Sequence, residues 1–482
     1  MHTTLLPLGA ADTADRDVRV EWGDWAHGDW ADTDTRQFAR ATSKPATLES
    51  VPAWRWLASR RVRHVGLAVL LLQVVLLIGF VAVYRPFDLN IYLWGGRAVT
   101  HGLRLYLVQA DANWFTYPPF AATMFTPLAW MPGLLVRLAW ELASVAALAW
   151  ACVLTVRLAG YRPTRTVIIT MVAAALLLEP MYHTLYLGQV NLMLMALVLA
   201  DVWRVSRGKP AGIGIGVAAA VKLVPGVFIL LLLLTRRTRD AVIATVAFAC
   251  CGLFGYIVDP SASRLYWTHL FLDTKRVSDA YISNQSLYAA AVRLFSGPGH
   301  VGAWFLLVLA VVGGAGLAVA AVLARCGDWL GAAAVTGTTG LLVSPISWTH
   351  HWVWILPALV VLMRGGMGSR VAAALAYVLF VLAPMWWTPH PGGPGEPGFH
   401  GLATVAANCF LIAGLAFLAY MTFIVCRAGA LTRPRLMRRV VQVADHECIL
   451  EPALVSHQGL PGQRTSLGVV GQGLGRRSDR AL

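Results

Sequence analysis

Between residues 65 and 426 the chain keeps returning to long apolar runs, Val65–Val83 and Leu402–Val425 among them. Runs of this length cannot stay exposed to water. In lipid, only α-helices and closed barrels satisfy their own backbone hydrogen bonds. A barrel would show weak alternation in segments of about ten residues, which is not the pattern here. The chain therefore reads as an all-α polytopic membrane protein. Its composition agrees: 57% hydrophobic, mean hydropathy +0.63 and 13% charged, against about 25% charged in soluble domains.

The net charge of +15 invites a nucleic-acid partner, but its placement argues against one. Basic residues gather at the ends of the apolar runs, as the positive-inside rule requires. Arginine outnumbers lysine 35 to 4, which points to a GC-rich genome. The seven cysteines are scattered, mostly within apolar runs, and read as small buried hydrophobes. They form no CxxC or other metal-ligand spacing, so neither a metal nor a cofactor is expected. Residues 1–60 form a polar, acidic extension without a signal-peptide core, expected to be disordered and cytoplasmic. Residues 427–482 form a basic, Gly-rich cytoplasmic tail, which leaves 61–426 as the membrane domain.

Arg55, Arg60, Arg61 and Arg63 precede the first run, which places that end in the cytoplasm. The expected spans are 65–84, 134–156, 166–183, 190–203, 240–258, 301–324, 329–343, 352–364, 371–388 and 401–426. Residues 211–234 start and end at basic clusters and are read as two short helices broken at Lys222-Leu223-Val224-Pro225-Gly226. That makes about twelve crossings with both termini inside. Residues 90–108 read as an interfacial helix on the outer face, 118–132 as an outer interfacial segment, and 259–300 as an outer loop.

Unusual polar residues fall on that outer face. Asp88 follows the first run in Arg85-Pro86-Phe87-Asp88-Leu89-Asn90. A carboxylate at membrane depth is a functional-site hypothesis; the other reading is a helix cap before Leu89. Lys222, mid-hydrophobic and followed by Pro225 and Gly226, reads either as a cation for phosphate or as a snorkelling lysine. His350 and His351 suit phosphate contact or proton transfer, or an interfacial place beside Trp348 and Trp352. Gln189, Asn191, Asn284 and Gln285 suit sugar hydroxyls, and equally helix caps and interhelical hydrogen bonds. Tyr117, Trp114, Trp267 and Trp348 can stack on sugars or sit in an aromatic belt. Arg97, Arg104 and Arg293 are further phosphate candidates.

Taken in order, Phe87-Asp88-Leu89-Asn90-Ile91-Tyr92, Thr116-Tyr117-Pro118-Pro119-Phe120, Gly188-Gln189-Val190-Asn191, Lys222-Leu223-Val224-Pro225-Gly226, Ser283-Asn284-Gln285-Ser286-Leu287 and Ser344-Pro345-Ile346-Ser347-Trp348-Thr349-His350-His351-Trp352 resemble the GT-C class of polyprenol-phosphate-sugar-dependent glycosyltransferases. The resemblance, over about residues 60–426, is to the actinobacterial α-(1→2) mannosyltransferases of phosphatidylinositol mannoside, lipomannan and lipoarabinomannan biosynthesis. It implies a polyprenyl phosphomannose donor, a mannosylated glycolipid or lipoglycan acceptor, and an inverting, metal-free reaction at the outer face of the plasma membrane. Asp88 would be the general base, with His350 or His351 catalytic. Lys222, Arg97, Tyr117, Gln189, Asn191, Asn284, Gln285 and Trp348 would contact substrate. The motifs do not separate mannose from arabinofuranose carried on decaprenyl phosphate. A polyprenyl-lipid flippase, the rival of another class, would place polar groups at the midplane within inverted repeats; neither is visible.

Overall fold

A computed structural model describes residues 59–110, 113–271, 273, 276–295, 297–389 and 399–427. The N-terminal extension up to residue 58, Lys275 and the tail beyond Arg427 lie outside the described residues. Regular structure among the described residues is helical, with two isolated β-bridges.

Helix α1 (Arg60–Val83) starts at Ser59, whose hydroxyl accepts from Val62 N at 3.2 Å, an N-cap bond that satisfies one orphan donor. Its exposed face carries Leu71, Leu72, Val75, Leu76 and Ile78, an outward apolar surface suited to lipid. Pro86 then starts α2 (Phe87–Thr100), which packs on α3 (Pro119–Ala129). The expected interfacial helix 90–108 is thus earlier and shorter, and eight of its fourteen residues are buried. It is a packed element, because Leu89, Ile91, Tyr92 and Leu93 face protein. Helix α4 (Gly133–Leu158) follows.

The expected span 166–183 is two helices, α5 (Arg165–Ala175) and α6 (Glu179–Leu187), bent by 75°. Pro180 at the start of α6 has no N–H to continue the ladder of α5, so the chain turns there. Helix α7 (Asn191–Ser206) runs against α4. Next come α8 (Ile213–Val221), a 3-10 turn at Val224–Gly226, and α9 (Val227–Leu234). The break falls at Lys222, where the hydrophobic pattern is interrupted. The start of α8 is fixed by two buried carboxylates: Asp201 Oδ2 accepts from Ile215 N at 2.8 Å and Asp240 Oδ1 from Ala211 N at 3.0 Å. Hydrogen bonds to charged groups contribute about 1.5–3 kcal/mol each. Gly216 lets α8 lie directly on α10 (Thr238–Val258): a Cβ there would sit 2.3 Å from Ala244 O.

The stretch 259–300, expected as a loop, is partly helical, with α11 (Pro260–Leu265) and α12 (Leu287–Leu294). Helices α13 (Trp304–Arg325) and α14 (Trp329–Val343) form a hairpin. In α14 every residue from Trp329 to Leu342 is buried, making it the core around which the bundle packs. Then follow α15 (Ile355–Arg364), α16 (Met367–Leu382), α17 (Leu402–Ala407) and α18 (Cys409–Arg427). The expected span 401–426 is therefore interrupted at Asn408.

The chain is a polytopic helical membrane protein. Five described helices (α1, α4, α10, α13 and α18) are long and apolar enough to cross a membrane, or six if the bent α5–α6 pair is one span. The larger count read from the sequence rests on shorter apolar helices such as α7, α14 and α16, of 15 or 16 residues.

Candidate active site

The site is assembled where α2, the α6–α7 turn, the break after α8 and the segment 344–354 meet. Asp88 lies in the first turn of α2 and makes no cap hydrogen bond, which removes the capping explanation. Its burial (8% exposed) is unusual for a carboxylate. Tyr92 is one turn further on the same face. Arg97 is nine residues from Asp88, about half a turn round at 3.6 residues per turn, and it is exposed. The helix therefore carries Arg97 away from Asp88. Arg104 is exposed too.

Gly188 ends α6 at φ +69, a left-handed conformation that favours glycine. A Cβ there would lie 2.8 Å from the Cβ atoms of both Pro86 and Leu89. Trp140 Nε1 donates to its carbonyl at 2.8 Å. This tight turn delivers Gln189 to the start of α2. Tyr92 donates to Gln189 Oε1 at 2.7 Å, Gln189 Nε2 donates to the Tyr117 hydroxyl at 2.9 Å, and the two tyrosine hydroxyls are 3.0 Å apart. Gln189 also reaches the Asp88 carboxyl.

On the other side, the half-buried Lys222 donates to Asn191 Oδ1 at 2.9 Å and its Nζ lies 2.7 Å from His351 Nε2. Burial brings the Lys222 amine down to about 7, against the opposing pull of Asp88; when protonated it has no acceptor, so His351 Nε2 accepts. Asn191 Nδ2 donates to the His350 carbonyl at 2.8 Å, joining α7 to the histidine turn. Lys222 Nζ also stands 5.7 Å over the Tyr117 ring, linking the two networks. A cavity of about 40 Å³ opens beside Lys222, Asn191 and His351, with Phe228, Leu341 and Trp354 on its apolar side.

Burial pushes the Asp88 carboxyl up to about 6, against the opposing pull of Gln189, Lys222 and His183. Burial also holds His350 and His351 well below the usual imidazole range. Lys222 adds to that effect at His351, and His351, His183 and Lys222 add to it at His350. Both rings are consequently neutral at pH 7. His350 is 5% exposed and neither of its ring nitrogens has a hydrogen-bond partner. Buried polar groups are ordinarily satisfied, so this ring invites a polar ligand.

Asn284 and Gln285 do something else. Asn284 Nδ2 donates to the carbonyls of Asp279 and Pro345, and its Oδ1 accepts from Ser347 N at 2.9 Å. Gln285 Nε2 donates to the Ile282 and Ala407 carbonyls, and its Oε1 accepts from Phe410 N. Both are fully buried; their amides brace the 344–351 segment and are spent on backbone. Arg293 does similar work, donating to Asn284 O at 2.9 Å and to Asn408 Oδ1 at 2.6 Å. Trp348 is half-buried, edge-on to Tyr281 at 6.1 Å between ring centres.

Glu179 and His183 are two residues of the site to which the sequence assigns no role. The structure puts them against the site: His183 Nδ1 is 2.7 Å from Glu179 Oε1 and 3.0 Å from Thr349 Oγ1. Their i,i+4 spacing within the expected span 166–183 was the available signal; what the sequence could not show is the approach of this pair to Thr349 and His350.

A family model described as glycosyltransferase family 87 matches residues 115–345. A Mycobacterium tuberculosis protein named polyprenol-phosphate-mannose-dependent alpha-(1-2)-phosphatidylinositol mannoside mannosyltransferase is 34% identical over 70% of this chain and 86% of its own length. Two proteins named as the corresponding pentamannoside mannosyltransferases are also similar. The one from Mycobacterium tuberculosis is 36% identical over 60% of this chain and 68% of its own length. The one from Mycolicibacterium smegmatis is 32% identical over 68% and 85%. No solved structure matches the chain.

Proposed function

The chain belongs to glycosyltransferase family 87, and on that premise we propose that it transfers mannose from polyprenyl phosphomannose to a hydroxyl of a phosphatidylinositol mannoside. The reaction takes place at the outer face of the plasma membrane, reached by about twelve crossings with both termini cytoplasmic. The names of the similar proteins support the donor, the acceptor and the α-(1→2) linkage.

Asp88 is the general base. It takes the proton of the acceptor hydroxyl as that oxygen attacks the anomeric carbon. A single displacement inverts the centre, so a β-linked donor gives an α-linked product. The bond to phosphate breaks with its electron pair on oxygen. Lys222, oriented by Asn191 and His351, faces the growing charge, and the neutral His350 ring has one N–H to donate to a phosphoryl oxygen. Gln189 orients Asp88, and Tyr92 and Tyr117 orient Gln189. Asn284 and Gln285 hold the histidine segment in place.

The observation that carries this reading is a buried carboxylate, Asp88, beside the Tyr92–Gln189–Tyr117 network, with the Lys222 amine held by Asn191 and His351 over the Tyr117 ring. The test is transfer of radiolabelled mannose by the purified full chain. Labelled polyprenyl phosphomannose and decaprenyl phosphoarabinose are offered in parallel with a phosphatidylinositol mannoside acceptor. Transfer of mannose alone supports the reading; transfer of arabinose alone moves the chain to the arabinosyl branch.

A further inference from the structure

We infer that His183, held by Glu179, is a further catalytic residue, the proton donor to the departing phosphate; this rests on the mannosyl-transfer reading above. The pair lies one turn apart on α6. Glu179 is fully buried, and its Oε1 receives both His183 Nδ1 at 2.7 Å and Trp386 Nε1 at 3.0 Å. Its Oε2 has no partner. A buried carboxylate left so exposed to desolvation is stabilised by a positive neighbour, and His183 is the adjacent ring.

With Nδ1 committed to Glu179 and Thr349, the remaining nitrogen, Nε2, makes no hydrogen bond and is not enclosed. The side chain keeps 17% exposure. The rings of His183 and His350 meet edge to face at 5.4 Å, which sets His183 against the histidine turn of the site. The titratable and charged groups around His183 are Glu179 and Tyr186 on its own helix, Asp88 from α2, and His350 from the facing turn with Lys222 behind it. A carboxylate holding one imidazole nitrogen so that the other can carry a proton is established acid–base geometry.

The protons balance. The acceptor O–H bond breaks and its proton goes to Asp88, while the new bond from oxygen to the anomeric carbon forms. The bond from that carbon to the phosphate oxygen breaks, and the oxygen takes the proton from His183 Nε2. Polyprenyl phosphate leaves as a monoanion. The proton on Asp88 then returns to His183 and resets the site.

The experiment is the pH dependence of kcat for wild type, His183→Ala and Glu179→Gln, with thermal stability measured alongside and added imidazole as a rescue. Wild type should show an alkaline limb. His183→Ala should lose about 100-fold or more in kcat and keep only the alkaline limb that Lys222, brought down to about 7 by burial, contributes, and imidazole should restore activity in proportion to its protonated fraction. Glu179→Gln, which can still accept from Trp386, should move the same way. A wild type with no alkaline limb overturns the inference without any variant. So does a folded His183→Ala with wild-type kcat and profile. Wild type that transfers no mannose at all instead overturns the functional reading beneath it.

Discussion

Replacing Asp88 with Asn separates catalysis from folding, and the structure sets opposite signs for the two. A carboxyl with its pKa at about 6 is roughly 90% ionised at pH 7 and roughly 10% at pH 5. Wild-type transfer limited by the base should therefore fall about tenfold between those pH values. Asn cannot take a proton, so kcat should drop about 10²- to 10⁴-fold. Stability should respond the other way. The pKa in the fold lies above the ordinary 3.8, so the ionised form is the one the fold penalises. That penalty is present above about pH 6 and is relieved as pH falls from 6 towards 4. The gap corresponds to about 3 kcal/mol at pH 7, and a neutral amide of the same shape removes it. Asp88→Asn should therefore melt no lower than wild type at pH 7 while losing transfer, which radiolabel transfer and a fluorescence melt on the same preparation report together. Transfer within tenfold of wild type refutes the role of base. An acid limb near 4 refutes the reasoning from burial.

Lys222→Met removes a charge-bearing hydrogen-bond donor to the phosphate and should lower kcat/KM for the donor lipid about 10- to 100-fold, from about 1.5–3 kcal/mol; Lys222→Arg should not restore it, since the fork does not replace a point donor between Asn191 and His351. Gly188→Ala forces a left-handed residue against Pro86 and Leu89 and should cost at least about 1 kcal/mol, read as a lower melting temperature together with reduced kcat as Gln189 shifts. Asn284→Ala takes the side-chain partner from Ser347 N and from the Asp279 carbonyl, the Pro345 carbonyl keeping Ser286, and should destabilise by about 1–3 kcal/mol, with kcat per folded molecule falling less than in Asp88→Asn.

How much of this was legible beforehand follows from the range of each interaction. Class rests on apolar runs, which are local and additive, so the long helices α1, α4, α10 and α13 follow from the chain directly, while the placement of 90–108 and the interruptions of 166–183 and 401–426 do not. The break at Lys222 was legible for the same reason, since a lysine, a proline and a glycine interrupt one run. The bend at Leu176–Leu178 was not, because Leu-rich sequence continues through it and only Pro180 marks it. Arg97 went astray for a geometric reason: on the page it stands near Asp88, and the helix turns it about half a revolution away.

The polar residues divide along the same line. Asp88 and Lys222 could be singled out from sequence because an ionisable group in an apolar setting is costly wherever it ends up. Whether an amide binds sugar or backbone cannot be read that way. Asn284 and Asn191 are alike as residues, yet one is consumed by the carbonyls around Pro345 and the other holds Lys222. The pairing of Glu179 with His183 depends on α6 being a helix and on its approach to Thr349, 166 residues later. Sequence by itself determined a helical membrane protein, because hydrophobic burial is a sum over local composition. Only the tertiary structure decided which polar groups have their hydrogen bonds met by the protein and which remain open, because that depends on distances between segments far apart in the chain.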